Sequence, residues 1–362
     1  MKNILKTLVV LVSASLISLA AKAGELAVSG SANASYVISS GQTAVDKGLG
    51  ISNELMFKAS GELDNGFTWN YHTELDNADG GATSNDDTAL VIGMGSLGKI
   101  GIYDAEGGLS TELGYGIGAL GVGQDFANTM TNIGIGSDVS ADAHIAYYTP
   151  ADLLPFGIEA AVGFAPNTAD GQSNSFKSAG GVNPNDTDGK QAVQYRVSAT
   201  PLGGLTVGAG LYQTEEPQTG LGQEKSAGTA YAKYAMGNFK VGIMTGYREN
   251  AVANKAATAA ADTATASNGD RYEYDALGIE FAVNDALSLS FSSEKYDRID
   301  KTNDGTGAAH TKAKVEAEAD YIQVAYNIGG ATLGLAIADT DNSDYTANKK
   351  EKKTLFTMQM EF

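Results

Sequence analysis

The chain has 362 residues with 45 glycines, 6 prolines and no cysteine, and its 43 acidic and 24 basic side chains give a formal net charge of −19. This composition excludes a collagen-like repeat, a disordered chain and a disulfide-stapled secreted domain. The negative charge also argues against nucleic acid as a partner, because an acidic surface repels a polyanion.

Residues 1–23 have the three parts of an export signal. Lys2 and Lys6 supply a positive segment, Leu8–Ala20 is an apolar run too short to span a bilayer, and Ala21–Ala23 is a small-residue cleavage site. We expect cleavage after Ala23; a retained membrane anchor is the alternative. Loss of this segment, with its three lysines and no acid, changes the formal charge from −19 to −22. No later apolar run is long enough for a transmembrane helix.

Apolar and polar side chains alternate along Ile51–Leu63 and again along Phe67–Asp76, with the tight-turn sequence Asp64–Gly66 between them. This pattern predicts a hairpin of two antiparallel strands. Later strands, such as Phe156–Phe164 and Leu205–Tyr212, also alternate, and the second face of each strand is small or polar. A soluble sandwich needs bulky residues inside, so the apolar face is predicted to meet lipid. Such a sheet must close into a barrel, because unpaired edge amides are costly in hydrocarbon.

Short and long connections alternate along the chain. The short turns are Asp64–Gly66, Gly95–Gly98, Thr149–Pro155, Pro201–Gly204, Gly237–Asn238, Asn284–Ala286 and Gly329–Gly330. The longer polar segments are Ser40–Gly50, Asn77–Asp87, Asp104–Ala141, Pro166–Lys190, Thr214–Lys225, Glu249–Asp270, Asp300–Ala319 and Asp339–Lys350. Residues 24–362 are therefore predicted to form a transmembrane antiparallel β-barrel of sixteen strands, with short periplasmic turns and long outer loops.

The third long connection, Asp104–Ala141, is rich in glycine and acids and contains no Lys or Arg. We call it the lumen loop, because we expect it to fold into the barrel and narrow a water-filled pore. Its predicted constriction residues are Asp104, Glu106, Glu112, Asp125 and Asp138. The best cations to face them, by inward parity, are Lys58, His72, Lys99 and His144.

The charge balance of the first strands and the lumen loop predicts a preference for cations. Residues 25–140 carry 15 acids, and the cations among them are only Lys47, Lys58 and Lys99. Carboxylates in a narrow lumen act on passing ions more strongly than they would in bulk water. The alternative is that many of these acids lie on outer loops, away from the permeation path.

Other motifs predict little chemistry. Asp339, Asp341 and Asp344 offer alternating oxygen ligands for Ca²⁺, although no calcium loop follows and solvated acids are the alternative. The stretch Gly116–Gly121 matches G-x-G-x-x-G, but no strand–helix unit surrounds it, so we expect no dinucleotide site. With three histidines and no nucleophile motif, the chain is not predicted to be an enzyme, and no cofactor is expected.

The two ends of the mature chain carry a family resemblance. The first strand, Glu25–Ser39, is rich in small residues, and the last run, Phe356–Phe362, alternates up to a terminal aromatic. Together with the leader and the long third loop, these features resemble the Gram-negative general porins, most closely those of alphaproteobacteria. The resemblance implies a homotrimer in outer-membrane lipid and lipopolysaccharide. It also implies that the assembly machinery reads Phe362.

Three functions remain open at this point. The first is a channel for passive diffusion of small hydrophilic solutes and ions. The second is a structural or adhesive surface barrel without significant conductance. The third is a secreted soluble sandwich.

Overall fold

The computed structural model describes most of the chain after the predicted leader, and residues 1–23 lie outside the described part. The described residues are 26–41, 45–77, 83–104, 107–109, 112–127, 139, 143–150, 153–166, 168, 191–215, 221–223, 225–249, 252–253, 271–302 and 311–362.

Within these ranges, sixteen antiparallel strands form one closed barrel, which confirms the predicted all-β fold and strand number. The barrel strands are β1 (Leu26–Gly41), β2 (Val45–Glu62), β3 (Thr68–Asn77), β4 (Thr83–Gly93), β5 (Lys99–Asp104), β6 (His144–Tyr148), β7 (Glu159–Ala165), β8 (Gln191–Leu202), β9 (Leu205–Glu215), β11 (Ser226–Met236), β12 (Phe239–Glu249), β14 (Arg271–Ala282), β15 (Leu287–Thr302), β16 (Thr311–Asn327), β17 (Ala331–Asp341) and β18 (Lys350–Glu361). Two short strands, β10 (Leu221–Gln223) and β13 (Val252–Ala253), pair with each other outside the barrel.

Side-chain parity follows the prediction. Ile243 and Leu277 are register partners on the outward face, and each is 58% exposed. The next residues along the same strands, Met244 and Ala276, point inward and are buried. The apolar exterior therefore matches lipid, and the wall is sealed by backbone hydrogen bonds all the way round.

The turns at the periplasmic end are short, as predicted, but several strands extend further at the other end. The segment Asp300–Ala319, predicted to be a long loop, instead contributes the end of β15 and the start of β16. The glycine-rich region Leu90–Tyr103 resolves into β4 and β5, joined by a 3₁₀ turn at Gly95–Leu97.

The first and last strands close the barrel. Beyond the last paired residue of β18, Phe362 exchanges two backbone hydrogen bonds with Gly30, at 2.8 and 3.0 Å. The Phe362 ring lies over Gly30, where a Cβ would be 2.8 Å from the ring carbon Cε2. The glycine on the outward face of β1 is thus explained by packing within the chain as well as by any subunit contact.

Helices are few and short in the described part of the chain. Two of them, α1 (Glu112–Tyr115) and α2 (Gly123–Ala127), lie in the lumen loop. None of the helices among these residues is long and apolar enough to cross a membrane.

Inside the barrel, a cluster of buried tyrosines packs against the lumen loop, which sequence parity did not predict. The cluster includes Tyr115 from the loop and the wall residues Tyr231, Tyr272, Tyr274, Tyr296 and Tyr321. Other aromatic residues lie on the outward face, where Tyr71, Tyr195 and Phe239 are exposed.

Candidate functional site

The lumen loop leaves the wall at the end of β5. Contacts between the first residues of the loop and the neighbouring strands hold it there, and we call this region the root of the loop. The carbonyl oxygen of Gly107 accepts a hydrogen bond from the Tyr148 hydroxyl at 3.3 Å and lies 3.4 Å from His144 Nε2. His144 stacks on Tyr103 with ring centroids 5.1 Å apart. Leu109 is fully buried, close to Gly163 on β7. The loop therefore turns inward as soon as it leaves the strand.

The glycines of the G-x-G-x-x-G stretch allow a reversal of the loop backbone. Gly116, Gly118 and Gly121 all have positive φ, at 46°, 155° and 122°. A side chain at Gly118 would collide with the carbonyl oxygen of Gly121. These glycines serve the fold of the loop, as predicted, since the conformation is unfavourable for other residues.

The middle of the lumen loop is held on the inner wall by three hydrogen bonds. Ser290 Oγ accepts from the Ala119 amide and Gln323 Oε1 accepts from the Leu120 amide, both at 2.8 Å. Gln323 Nε2 donates to the Gly121 carbonyl at 3.0 Å. Since Ser290 and Gln323 are register partners on β15 and β16, they form one polar clamp on adjacent strands.

Before the clamp, α1 packs on β11 and β12. Tyr115 is buried there, and its hydroxyl donates to the carbonyl of Gly242 at 3.3 Å. Burial, together with the nearby Glu294 carboxylate, raises the pKa of the Tyr115 hydroxyl well above its ordinary value. The hydroxyl therefore stays protonated and keeps its hydrogen bond at any physiological pH.

The part of the barrel wall that lies across the lumen from α1 is formed by β2 and β3. In the closed sixteen-strand order, β2 lies eight strands from β11 in either direction, and β3 lies eight strands from β12. Lys58 on β2 and His72 on β3 are register partners and face inward. The structure thus places these two predicted cations across the lumen from the strands on which α1 packs.

An acidic cluster lies next to these two cations and was missed from the sequence. Glu54, Glu74 and Asp76 face inward on β2 and β3, with ligand oxygens within 4.8 Å of one another. Glu54 also accepts a hydrogen bond from Ser31 Oγ at 3.2 Å. All three residues have inward parity, whereas the predicted constriction acids lie in the lumen loop.

The predicted loop acids have different outcomes. Asp104 continues the outward series of β5, because its register with Thr88 follows that of Ile102 with Leu90, so its carboxylate does not belong to the lumen-facing set. The backbones of Glu112 and Asp125 lie in α1 and α2. Glu106 and Asp138 lie outside the described residues, so their constriction roles remain predictions.

The other two predicted cations lie apart from Lys58 and His72. Lys99 is at the periplasmic start of β5, with its Nζ 4.4 Å from the centroid of the Tyr148 ring. His144 is only 3% exposed and belongs to the root of the lumen loop, which favours a structural role over a pore-lining one.

Further lumen-facing cations come from strands that sequence reasoning did not include. Arg196 on β8 lines a cavity of about 370 Å³ with Lys99 and Glu159. Lys240 on β12 forms an ion pair of 2.8 Å with Glu280 on β14. Both cations have inward parity, but they lie on later strands than the predicted set of Lys58, His72, Lys99 and His144.

The predicted Ca²⁺ candidates do not converge on one point. Asp341 and Asp344 form ion pairs with Lys350 and Lys349, at 2.8 and 2.7 Å. Asp339 lies 3.9 Å from Lys352. Lysines thus balance the charge of these carboxylates at the outer end of β17, which favours the alternative of solvated acids over a calcium site.

Comparisons with known proteins agree with this geometry. A family model described as Gram-negative porin matches residues 7–345. No curated protein matches the sequence.

Several solved structures are similar to the barrel. The anion-selective porin from Comamonas acidovorans has 16% sequence identity and a TM-score of 0.63, over 94% of this chain and 100% of that one. In-vitro folded OmpT of Vibrio cholerae, in a trimer form, has 14% identity and a TM-score of 0.61 over the same shares. OmpF of Salmonella typhi, in complex with daunomycin, has 12% identity and a TM-score of 0.59, over 93% and 98%. At these identities the structures show a shared fold only.

The family model covers almost all of the sequence, and the closed barrel carries an inner loop on its wall as the sequence predicted. This chain belongs to the Gram-negative porin family.

Proposed function

We propose that this outer-membrane channel for passive diffusion, which is not an enzyme, prefers cations. The acidic cluster of Glu54, Glu74 and Asp76 is the observation that carries the proposal. It lies on the inner wall across the lumen from the strands that hold α1, where the pore is not covered by the described part of the loop. Three carboxylates beside one lysine and one histidine give this wall a net negative potential, which raises the local concentration of cations.

Ion selectivity does not follow from the fold. One structure with the same fold is an anion-selective porin, and it shares only 16% of its residues with this chain. The preference must therefore come from the side chains that line this particular lumen.

The test is the zero-current potential across a planar bilayer with unequal KCl concentrations on the two sides. We expect a cation preference for the native chain and a clear shift towards anions for the triple variant Glu54→Gln, Glu74→Gln, Asp76→Asn. The matched control is Asp275→Asn, Glu318→Gln, Asp320→Asn, which changes the same net charge on the outward face of β14 and β16. This control should leave the potential nearly unchanged, because its carboxylates are separated from the lumen by the wall.

Two outcomes would contradict the proposal. An anion preference in the native protein would show that the acidic cluster does not control permeation. A folded barrel without conductance would instead support the structural or adhesive surface role.

We further propose that the chain assembles as a homotrimer in outer-membrane lipid and lipopolysaccharide. The support is the trimer form of the similar OmpT and the small outward side chains of β1, such as Ala32 and Ala34, which let a second backbone approach closely. Phe362 is proposed as the signal read by the assembly machinery. Chemical cross-linking of the detergent-solubilised protein should give a trimer, and a purely monomeric product would count against this assembly.

A further inference from the structure

Two glycines on the inner wall face the lumen loop directly. Gly242 on β12 and Gly278 on β14 are register partners and both point inward. The next inward residues along these strands, Met244 and Ala276, carry side chains. The pair therefore forms a shallow slot two strands wide, which we call the glycine slot.

Two loop side chains fill the glycine slot. Tyr115 and Ile117 are each 1% exposed. A Cβ added at Gly278 would lie 2.6 Å from Ile117 Cγ2 and 2.9 Å from the Tyr115 hydroxyl oxygen. A Cβ at Gly242 would lie 2.9 Å from both Ile117 Cγ1 and Tyr115 Cε2. Since real contacts of this kind are longer, any side chain in the slot must move either the wall or the loop.

The strands of the wall resist displacement more strongly than the lumen loop does. Both glycines belong to central strands of a closed sheet, hydrogen-bonded on both sides. The loop is attached just beyond Ile117 by the polar clamp of Ser290 and Gln323, so it can move at the slot only by bending towards the lumen. Added bulk in the slot thus narrows the channel.

We propose that Gly242 and Gly278 are positioning residues for permeation, because the depth of the glycine slot fixes how far the lumen loop projects into the pore. The slot sets the distance between loop and wall, and the clamp holds that position. The cross-section available to solutes therefore depends on two wall glycines that no solute has to touch. This inference rests on the proposed channel function.

The test is single-channel conductance in planar bilayers. Gly278→Ala should lower the conductance, and Gly278→Val should lower it further. Gly50→Ala is the matched control: Gly50 is an inward glycine of β2, and its added Cβ would meet only Ser35 Oγ, at an ordinary 3.6 Å. Its conductance should equal that of the native protein.

A compensating variant separates positioning from a general disturbance. Ile117→Ala removes the closest of these contacts, the one with Cγ2, without changing the wall. In this background, Gly278→Ala should reduce conductance less than it does in the native chain, because only the contacts with the Tyr115 hydroxyl oxygen and with the Cβ at position 117 remain.

The inference would be overturned if Gly278→Ala conducted like the native protein, or if it lowered conductance equally with and without Ile117. If Gly278→Val does not assemble, the alanine variants decide. Absence of conductance in the native barrel would contradict the channel function itself, which distinguishes that failure from this one.

Discussion

At the scale of single residues, tyrosines on the inner wall pack against neighbouring glycines. The Tyr231 ring lies over Gly208, its register partner on β9, and also contacts Gly114 of the lumen loop. Tyr321 covers Gly123 in the same way. Each tyrosine fills the space that a glycine leaves, so the inner wall is well packed where the loop lies and open where it does not.

Side-chain parity predicted which residues of a strand face inward, but not which side chains they contact. Alternation correctly placed Lys58 and His72 inside the barrel, because it depends only on the local strand. Alternation was not applied to Asp104, which was assigned to the lumen loop, although β5 continues to this residue and keeps its outward direction there. It also gave no sign that inward tyrosines would be buried, since their burial depends on the path of a loop distant in sequence.

Gln323 is the residue on which the polar clamp most depends. Gln323→Ala removes the bonds to the Leu120 amide and the Gly121 carbonyl, which should cost about 1–3 kcal/mol and raise the population of the detached loop roughly five- to 150-fold. Hydrogen exchange of the 112–127 segment should accelerate accordingly. Gln359→Ala, at an exposed position on β18, is the control. Equal exchange in the two variants would show that the clamp does not hold the loop.

At the scale of elements, the strands extend beyond the apolar band at their outer ends. Arg271, at the start of β14, forms ion pairs with Glu249 and Glu273 at 2.8 and 2.9 Å on the outward face. Lys314 pairs with Asp297 on the neighbouring strands at 2.7 Å. Where both faces of a strand meet water, polar residues occupy both parities. The alternation then disappears, which is why Asp300–Ala319 was predicted as a loop.

The closure of β1 on β18 depends on the absence of a side chain at Gly30. Gly30→Val would place a Cβ 2.7 Å from the Glu54 carbonyl and 2.8 Å from the Phe362 ring, so closure should be weakened by about 1–3 kcal/mol. We expect a smaller folded fraction, measured by heat-dependent migration on detergent gels. Gly203→Val is the control and should fold normally, because an added Cβ at this turn position would meet nothing within 4 Å. Normal folding of both variants would contradict this account of Gly30.

At the scale of the whole molecule, the fold supplies a sealed wall and a loop attachment, and the selectivity that we propose comes from the charges that line the lumen. The sequence predicted the first part well because lipid imposes a strict alternation on every strand. It predicted the lining charges less well, because the acidic cluster on β2 and β3 and the cations Arg196 and Lys240 come together only when distant strands close into one barrel.

The dependence of selectivity on salt tests whether these charges act through their field. Screening shortens the reach of a charge from about 10 Å at 0.1 M salt to about 3 Å at 1 M. With a fixed ratio of KCl concentrations, the preference for K⁺ over Cl⁻ should therefore decline as the mean concentration rises. The triple variant of Glu54, Glu74 and Asp76 should begin with a weaker preference and change less. A preference that stayed constant over this range would mean that ions are selected by direct contact at a narrow filter, and not by the potential of the acidic wall.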